Sequence, residues 1–188
     1  YHWEGYYSGS RAATTLTVAT DLEITAVFVT VNNLAVTPST LEVSSETSEG
    51  LSAVGGTAPY TWSTTGGNLI PDTGPNTNYQ APASPGSYTV TLSDSRGESA
   101  TCSVTVYNSI TVSPSVHNMN IEGNAEFQIS GGKSPYTVSV TDGMTPSVDE
   151  STGKFIYTAP DEAAKVTLTV KDQLDQQVSV SVTVTQVN

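Results

Sequence analysis

Apolar and polar residues alternate along much of the chain. Near its end Val178, Val180, Val182 and Val184 take every second position, with Ser179, Ser181 and Thr183 between them. A strand turns successive side chains to opposite faces, so this spacing predicts a strand with one face on a core and the other in water. Ala100, Cys102, Val104 and Val106 repeat the pattern upstream. Few windows carry the period of an amphipathic helix, and the abundance of Ser, Thr, Val and Gly also favours strands and turns.

The predicted strands recur in order. Leu34-Ala35-Val36-Thr37-Pro38-Ser39 aligns with Ile110-Thr111-Val112-Ser113-Pro114-Ser115, and Gly55-Gly56-Thr57-Ala58-Pro59-Tyr60-Thr61 with Gly131-Gly132-Lys133-Ser134-Pro135-Tyr136-Thr137. After a roughly two-residue loop insertion of the kind loops tolerate, Asn78-Tyr79-Gln80-Ala81-Pro82 meets Ile156-Tyr157-Thr158-Ala159-Pro160. Thr89-Val90-Thr91-Leu92-Ser93-Asp94 then meets Thr167-Leu168-Thr169-Val170-Lys171-Asp172, and Ser103-Val104-Thr105-Val106 meets Ser181-Val182-Thr183-Val184. Each copy runs to roughly 75 residues, enough for a sandwich of about seven strands. The short connections Val31-Asn32-Asn33 and Tyr107-Asn108-Ser109 lack the Gly/Ser tracts of floppy linkers, which predicts limited hinge motion.

The repeat assigns several residues to the core. Cys102 stands where its twin has Val180, which predicts a buried small hydrophobe. Trp62 stands where the twin has Val138, which predicts core filling rather than a sugar-stacking platform. In the Gly-Gly-x-x-Pro-Tyr-Thr segment the glycines permit a turn, and the proline fixes φ before a strand expected to start at Tyr60 or Tyr136. No helix follows, so these glycines cradle no phosphate.

Composition then narrows the function classes. Among 188 residues there are six Lys and Arg against 18 Asp and Glu, a formal net charge of -12. That excludes nucleic acid as a partner and disfavours an anionic lipid surface, while giving solubility by mutual repulsion. No apolar run is long enough to span a membrane as a helix, and no signal-peptide pattern opens at Tyr1, so an export signal is expected outside this sequence. Cys102 is the one cysteine, which leaves the modules held by packing rather than by an internal disulfide.

Candidate chemistry is sparse. His2 and His117 sit far apart and outside any motif with a nucleophile or paired carboxylate, and both are expected at the surface. No Gly-x-Ser-x-Gly, His-Glu-x-x-His or Walker-type element occurs, so catalytic, cofactor-binding and metal residues are all read as none and the protein as not an enzyme. Asp94 with Glu98 and Asp172 with Asp175, at the ends of matching strands, are candidate calcium ligands. Asp equally favours turns, and no dense Asp-x-Asp-x-Asp run supports a site. A Lys–Asn isopeptide bond needs a buried lysine; residues 34–109 hold none, and Lys133, Lys154, Lys165 and Lys171 of the second copy are expected to be solvated. No Asn-x-Ser/Thr sequon exists, whereas the Ser/Thr-rich strands leave O-linked sugars open.

With the Val-Thr-Pro-Ser or Val-Ser-Pro-Ser opening, the Gly-Gly-x-x-Pro-Tyr-Thr centre and the closing strand pair quoted above, residues 34–186 resemble tandem bacterial immunoglobulin-like domains of large surface proteins. Unlike antibody domains, neither copy has paired cysteines. Upstream, Tyr1-His2-Trp3-Glu4-Gly5, Thr14-Thr15-Leu16-Thr17-Val18 and Glu23-Ile24-Thr25-Ala26-Val27-Phe28-Val29 resemble the closing strands of an internalin-type B-repeat domain. The resemblance implies an all-β chain: partial β segment 1–31, sandwich 34–107 and sandwich 110–186. Such domains serve as stalks, adhesins and spacers, so fold is better specified than function.

The expected function is a structural or adhesive stalk of an extracellular or cell-surface protein. Its partners would be other domains of a longer chain, neighbouring subunits, or surface glycans and proteins, with no direct membrane insertion. Two alternatives remain open. Ile24, Ala26 and Phe28 mark one face of a strand and Val27, Val29 and Val31 the other, an apolar segment that a neighbouring subunit in a filament would cover. A polysaccharide-binding module would instead use aromatic residues such as Trp3, Tyr6, Tyr7 or Trp62.

Overall fold

The computed structural model describes residues 33–141 and 144–186. Segment 1–31, expected from its resemblance to be the end of a B-repeat domain, lies outside the described residues with His2, Trp3, Tyr6, Tyr7 and the doubly apolar stretch around Phe28.

Every regular element described is a strand, as the alternation predicts. The first repeat contains β1 (Ala35–Thr37), β2 (Thr40–Ser44), β3 (Ser48–Val54), β4 (Thr61–Thr64), β5 (Asn68–Ile70), β6 (Asn76–Gln80), β7 (Gly86–Ser93) and β8 (Ser99–Tyr107). They form two four-stranded sheets, ordered β1-β3-β6-β5 and β2-β8-β7-β4. The second repeat contains β9 (Thr111–Ser113), β10 (Val116–Asn120), β11 (Asn124–Ser130), β12 (Thr137–Val140), β13 (Val148–Asp149), β14 (Lys154–Thr158), β15 (Ala164–Lys171) and β16 (Gln177–Thr185). Its sheets follow the same plan, β9-β11-β14-β13 and β10-β16-β15-β12.

The opening strand of each repeat differs from the continuous one expected. It breaks at Pro38 and at Pro114, both after cis peptide bonds. Proline has no N–H to give to a ladder, so pairing cannot run through it. Before Pro38, β1 pairs antiparallel with β3; after it, β2 crosses to the other sheet and runs parallel to β8, with Thr40 opposite Ser103 and Ser44 opposite Tyr107. At Pro114, β9 and β10 divide in the same way. Strands also begin one residue later than expected, at Thr61 and Thr137, because the tyrosine before each belongs to the preceding turn.

Each sandwich encloses its own core. In the first, Tyr79, Val90, Leu92 and Cys102 are completely buried with Leu51 and Val104 beside them. In the second, Phe127, Leu168, Val170, Val180 and Val182 are completely buried around Tyr157. Burying one such apolar side chain contributes roughly 1.5–3 kcal/mol, so these rows are what hold the two sheets of each sandwich together. Register explains the twins: Val90 lies opposite Cys102 in one copy and Leu168 opposite Val180 in the other.

The two cores are filled differently. The first places bulk at Trp62 and smaller side chains at Leu51 and Thr77; the second has Val138, Phe127 and Phe155 at the matching positions, with the two phenylalanine rings stacked at 5.2 Å. Trp62 is buried as expected, and its indole Nε1 donates to the Gly74 carbonyl at 2.8 Å. Its backbone N–H donates to the Asp72 carbonyl at 2.8 Å while Gly74 N–H reaches the Tyr60 carbonyl at 3.1 Å. The tryptophan thereby ties down the loop that covers the open edge of β4, an edge that would otherwise present unpaired backbone groups.

Candidate functional site

The Gly-Gly-x-x-Pro-Tyr motif and the strand-end aspartates form one unit in each copy. Tyr60 Oη donates to the Gly55 carbonyl at 2.7 Å, and Tyr136 Oη donates to the Gly131 carbonyl at the same distance. Each tyrosine thus closes the loop back on its first glycine. Asp94 accepts the backbone N–H groups of Thr57, Arg96 and Glu98 at 2.8 to 2.9 Å. Asp172 accepts those of Lys133, Leu174 and Gln176, each at 2.9 Å. Both carboxylates are nearly buried, and both join the glycine loop to the β7–β8 or β15–β16 turn. At Asp94, burial is the strongest single influence and raises the pKa, yet the N–H donors of Thr57, Glu98 and Arg96 together outweigh it and hold the carboxyl below its ordinary value.

This geometry gives the aspartates weighed for calcium a structural role. Their oxygens already take N–H donors, and among the described residues no group of three or more His, Cys, Asp or Glu side chains is assembled to hold a metal ion. The four lysines weighed for an isopeptide bond are all unburied: Lys133 pairs with Glu42, Lys154 with Glu126 at 2.8 Å and Lys171 with Asp175, while Lys165 faces solvent. His117 corrects an expectation. It is half-buried rather than on the surface, with its ring edge-on to Phe127 at 5.7 Å, because its position on β10 leans toward the core. Cys102 is wholly buried, and burial pushes its thiol pKa up.

The second copy's glycine loop does something its twin does not: it meets the first sandwich. Asn108–Ile110 alone separates β8 from β9. Gly132 N–H donates to the Asn108 carbonyl at 2.8 Å, and Ser45 shares a 3.2 Å hydrogen bond with Ser109 across the junction. Gly131 has φ +71°, and a Cβ there would sit 2.2 Å from the Ser109 carbonyl oxygen, so only glycine lets the loop lie this close to the linker. Beside it the Lys133 ammonium binds the Glu42 carboxylate on β2, and Tyr107 Oη donates to the same carboxylate at 3.0 Å. Lys133 also lies 5.9 Å from the centre of the Tyr107 ring.

Electrostatics keep this contact charged over a wide range. The Lys133 hydrogen bond, then that of Tyr107, holds Glu42 below its ordinary value of 4.5. The Glu42 hydrogen bond raises Lys133 above 10.5 and raises Tyr107 as well. The pair's contribution is therefore lost only as pH falls through the lowered Glu42 value or rises through the raised Lys133 value. Sequence reasoning missed Glu42 and gave Lys133 no junction role. In the sequence Lys133 stands where the first copy's motif has Thr57, and Ser134 where it has Ala58, and nothing ties either to Glu42.

Comparisons with known proteins bear on the fold. No protein-family profile and no curated protein matches the chain. Among solved structures, it resembles the C-terminal 282-residue fragment of intimin, determined in complex with the translocated intimin receptor intimin-binding domain. That match has TM-score 0.59 and 16% identity, covering 81% of this chain and 63% of the fragment. The described residues are immunoglobulin-like β-sandwiches. Looser matches include the N-terminal four Ig domains of Dscam1 isoform 1.9, at TM-score 0.38, 16% identity, 79% of this chain and 43% of that one. Another is SGBP-B of the Bacteroides ovatus mixed-linkage glucan utilization locus in complex with a mixed-linkage heptasaccharide, at TM-score 0.32, 19% identity, 77% of this chain and 44% of that one. The chain thus spans less than two thirds of the intimin fragment. Among the described residues no helix is long and apolar enough to cross a membrane.

Proposed function

We propose that the two sandwiches are a non-enzymatic structural and adhesive stalk region of a bacterial extracellular or cell-surface multidomain protein. The reading rests on the junction: Gly131 seated against the linker carbonyl of Ser109, with Lys133 bound to Glu42 beside it. A spacer must hold successive modules at a set angle, and short linkers with lateral contacts do this where flexible tracts do not. The intimin fragment, which shares the fold, is itself described bound to a receptor domain, which supports an adhesive setting.

Spin labels at S63C and S139C, on the exposed faces of β4 and β12, measure the spread of angles between the modules; the buried Cys102 stays unlabelled. A narrow distance distribution is expected, widening in Glu42→Ala and Lys133→Ala with little loss of thermal stability, since exposed ion pairs contribute little to folding. A broad distribution in the parent chain overturns the stalk reading.

A further inference from the structure

The outer face of the β1-β3-β6-β5 sheet is uncharged at every outward position. On β6 the outward side chains are Asn76, Asn78 and Gln80, all exposed, alternating with the inward Thr77 and Tyr79. Register extends this line into rows. Gln80 lies between Ser48 and Asn68, Asn78 between Gly50 and Ile70, and Asn76 beside Ser52. In a chain of net charge -12 this is a broad neutral surface. The carboxamides of Asn68, Asn76, Asn78 and Gln80 make no side-chain hydrogen bond among the described residues, so each offers both donors and an acceptor outward.

The matching face of the second sandwich is built differently from the same register. Gly50, Asn76 and Asn78 correspond to Glu126, Lys154 and Ile156. There Lys154 binds Glu126 at 2.8 Å, and Thr158 donates to Asn124 at 2.6 Å. Gln128 Nε2 spends itself on the carbonyls of Ile129 and Thr152. That face satisfies its own polar groups; the first leaves them free.

We infer that the amide face of the first sandwich binds a neutral, hydroxyl-rich polysaccharide. A sugar hydroxyl is at once donor and acceptor, and so is a carboxamide, which lets the two pair without removing any charge from water. Gly50 shapes the face. On β3 its missing side chain leaves the face open beside β6: a Cβ there would find only Asn78 Oδ1, at 3.8 Å. Ile70, 62% exposed, forms an apolar wall beside Asn78 for the C–H faces of a sugar ring. An anionic or cationic partner would meet nothing to pair with here. The face is built without the buried Trp62 and without Trp3, Tyr6 and Tyr7, which lie outside the described residues; nor does it depend on the stalk reading, which rests on the junction.

The test grafts one face onto the other. Gly50→Glu with Asn76→Lys installs the second sandwich's own ion pair at the same diagonal of the same sheet, so the fold is expected to tolerate it; Gly50→Leu adds bulk to the face without charge. Affinity electrophoresis of the full chain uses gels containing a soluble β-glucan, a galactomannan or a dextran. The parent is expected to be retarded by at least one of them, with roughly tenfold or greater weakening in both variants. The inference is overturned if no polysaccharide retards the parent, or if thermally stable variants are retarded as strongly as the parent. It is also overturned if none retards it and the face instead mediates a concentration-dependent dimer that the graft abolishes, which would assign the surface to a second copy of the chain.

Discussion

The two sandwiches share their strand order, their split opening strand and their glycine–aspartate–tyrosine unit, yet differ in how the core is filled and in what the outer sheet presents. The shared parts are those the backbone requires. A turn with left-handed glycines needs its N–H groups capped, and Asp94 and Asp172 accept matching backbone N–H groups there, Asp172 taking the Gln176 side-chain amide as well. The differing parts are side chains that can trade volume or polarity without altering register, as Gly50 and Asn76 do against Glu126 and Lys154. The difference separates frame from use: the second module directs its variable residues to itself and to its neighbour, while the first leaves a neutral face unspent.

The core fill offers the largest effect. If the frame tolerated either residue freely, Trp62→Val would convert the first core to the second's choice at little loss. Instead, because Leu51 and Thr77 remain smaller than Phe127 and Phe155, nothing refills the space, and Gly74 loses its indole donor. Chemical denaturation should show a loss of about 3 kcal/mol or more, in the range measured for emptied aromatic sites. A loss below about 1 kcal/mol would mean that the edge-covering loop collapses into the gap and that the two fills are interchangeable.

The acid response sharpens the comparison of the shared unit. Asp94 has a folded pKa below its ordinary 3.8, so its stabilising contribution is complete above that value and disappears as pH falls through the lower folded one. Trp62, buried in the same sandwich, reports that unfolding by fluorescence. Thermal melts from pH 6 downward should show the parent losing its advantage over Asp94→Asn below about pH 4, the two curves converging as the carboxylate takes up its proton. Parallel curves at every pH would mean that the loop is held by Tyr60 and the glycines alone.

Much of the frame was legible because alternation and repetition are local or self-comparing. Val178 to Val184 announce a half-buried strand, and the twins of Cys102 and Trp62 announce burial without any view of the fold. Three features were not legible, for related reasons. The crossing of the chain at Pro38 follows from proline's missing donor, but which sheet receives β2 is decided by its parallel pairing with β8, far along the sequence. The tyrosine hydroxyls of Tyr60 and Tyr136 look like strand openers until the turn brings Gly55 and Gly131 within reach. The Glu42–Lys133 contact joins residues 91 positions apart on different modules, and neither residue has a pattern around it that points to the other. The neutral face was written plainly in Asn76-Thr77-Asn78-Tyr79-Gln80, but its meaning appears only when β3 and β5 are laid beside β6.

Cys102 sets the smallest effect. Its twin Val180 is fully buried at the same register position, opposite Leu168 as Cys102 is opposite Val90. The thiol's nearest polar contact is the Ser103 carbonyl at 3.8 Å, long and weak for a sulfur donor, so replacing it with a methyl group forfeits little. Valine is β-branched and suits a strand, and its one additional heavy atom has a place in the twin core, where Val180 is packed at the same register position. Cys102→Val should therefore change the unfolding free energy by less than about 1 kcal/mol. In the parent, a thiol reagent should react no faster than the first sandwich opens, since burial both shields the sulfur and raises its pKa. Rapid labelling of the native chain, or a large loss on substitution, would show that this position is not the simple counterpart of Val180 and that the two cores diverge even where their strands coincide.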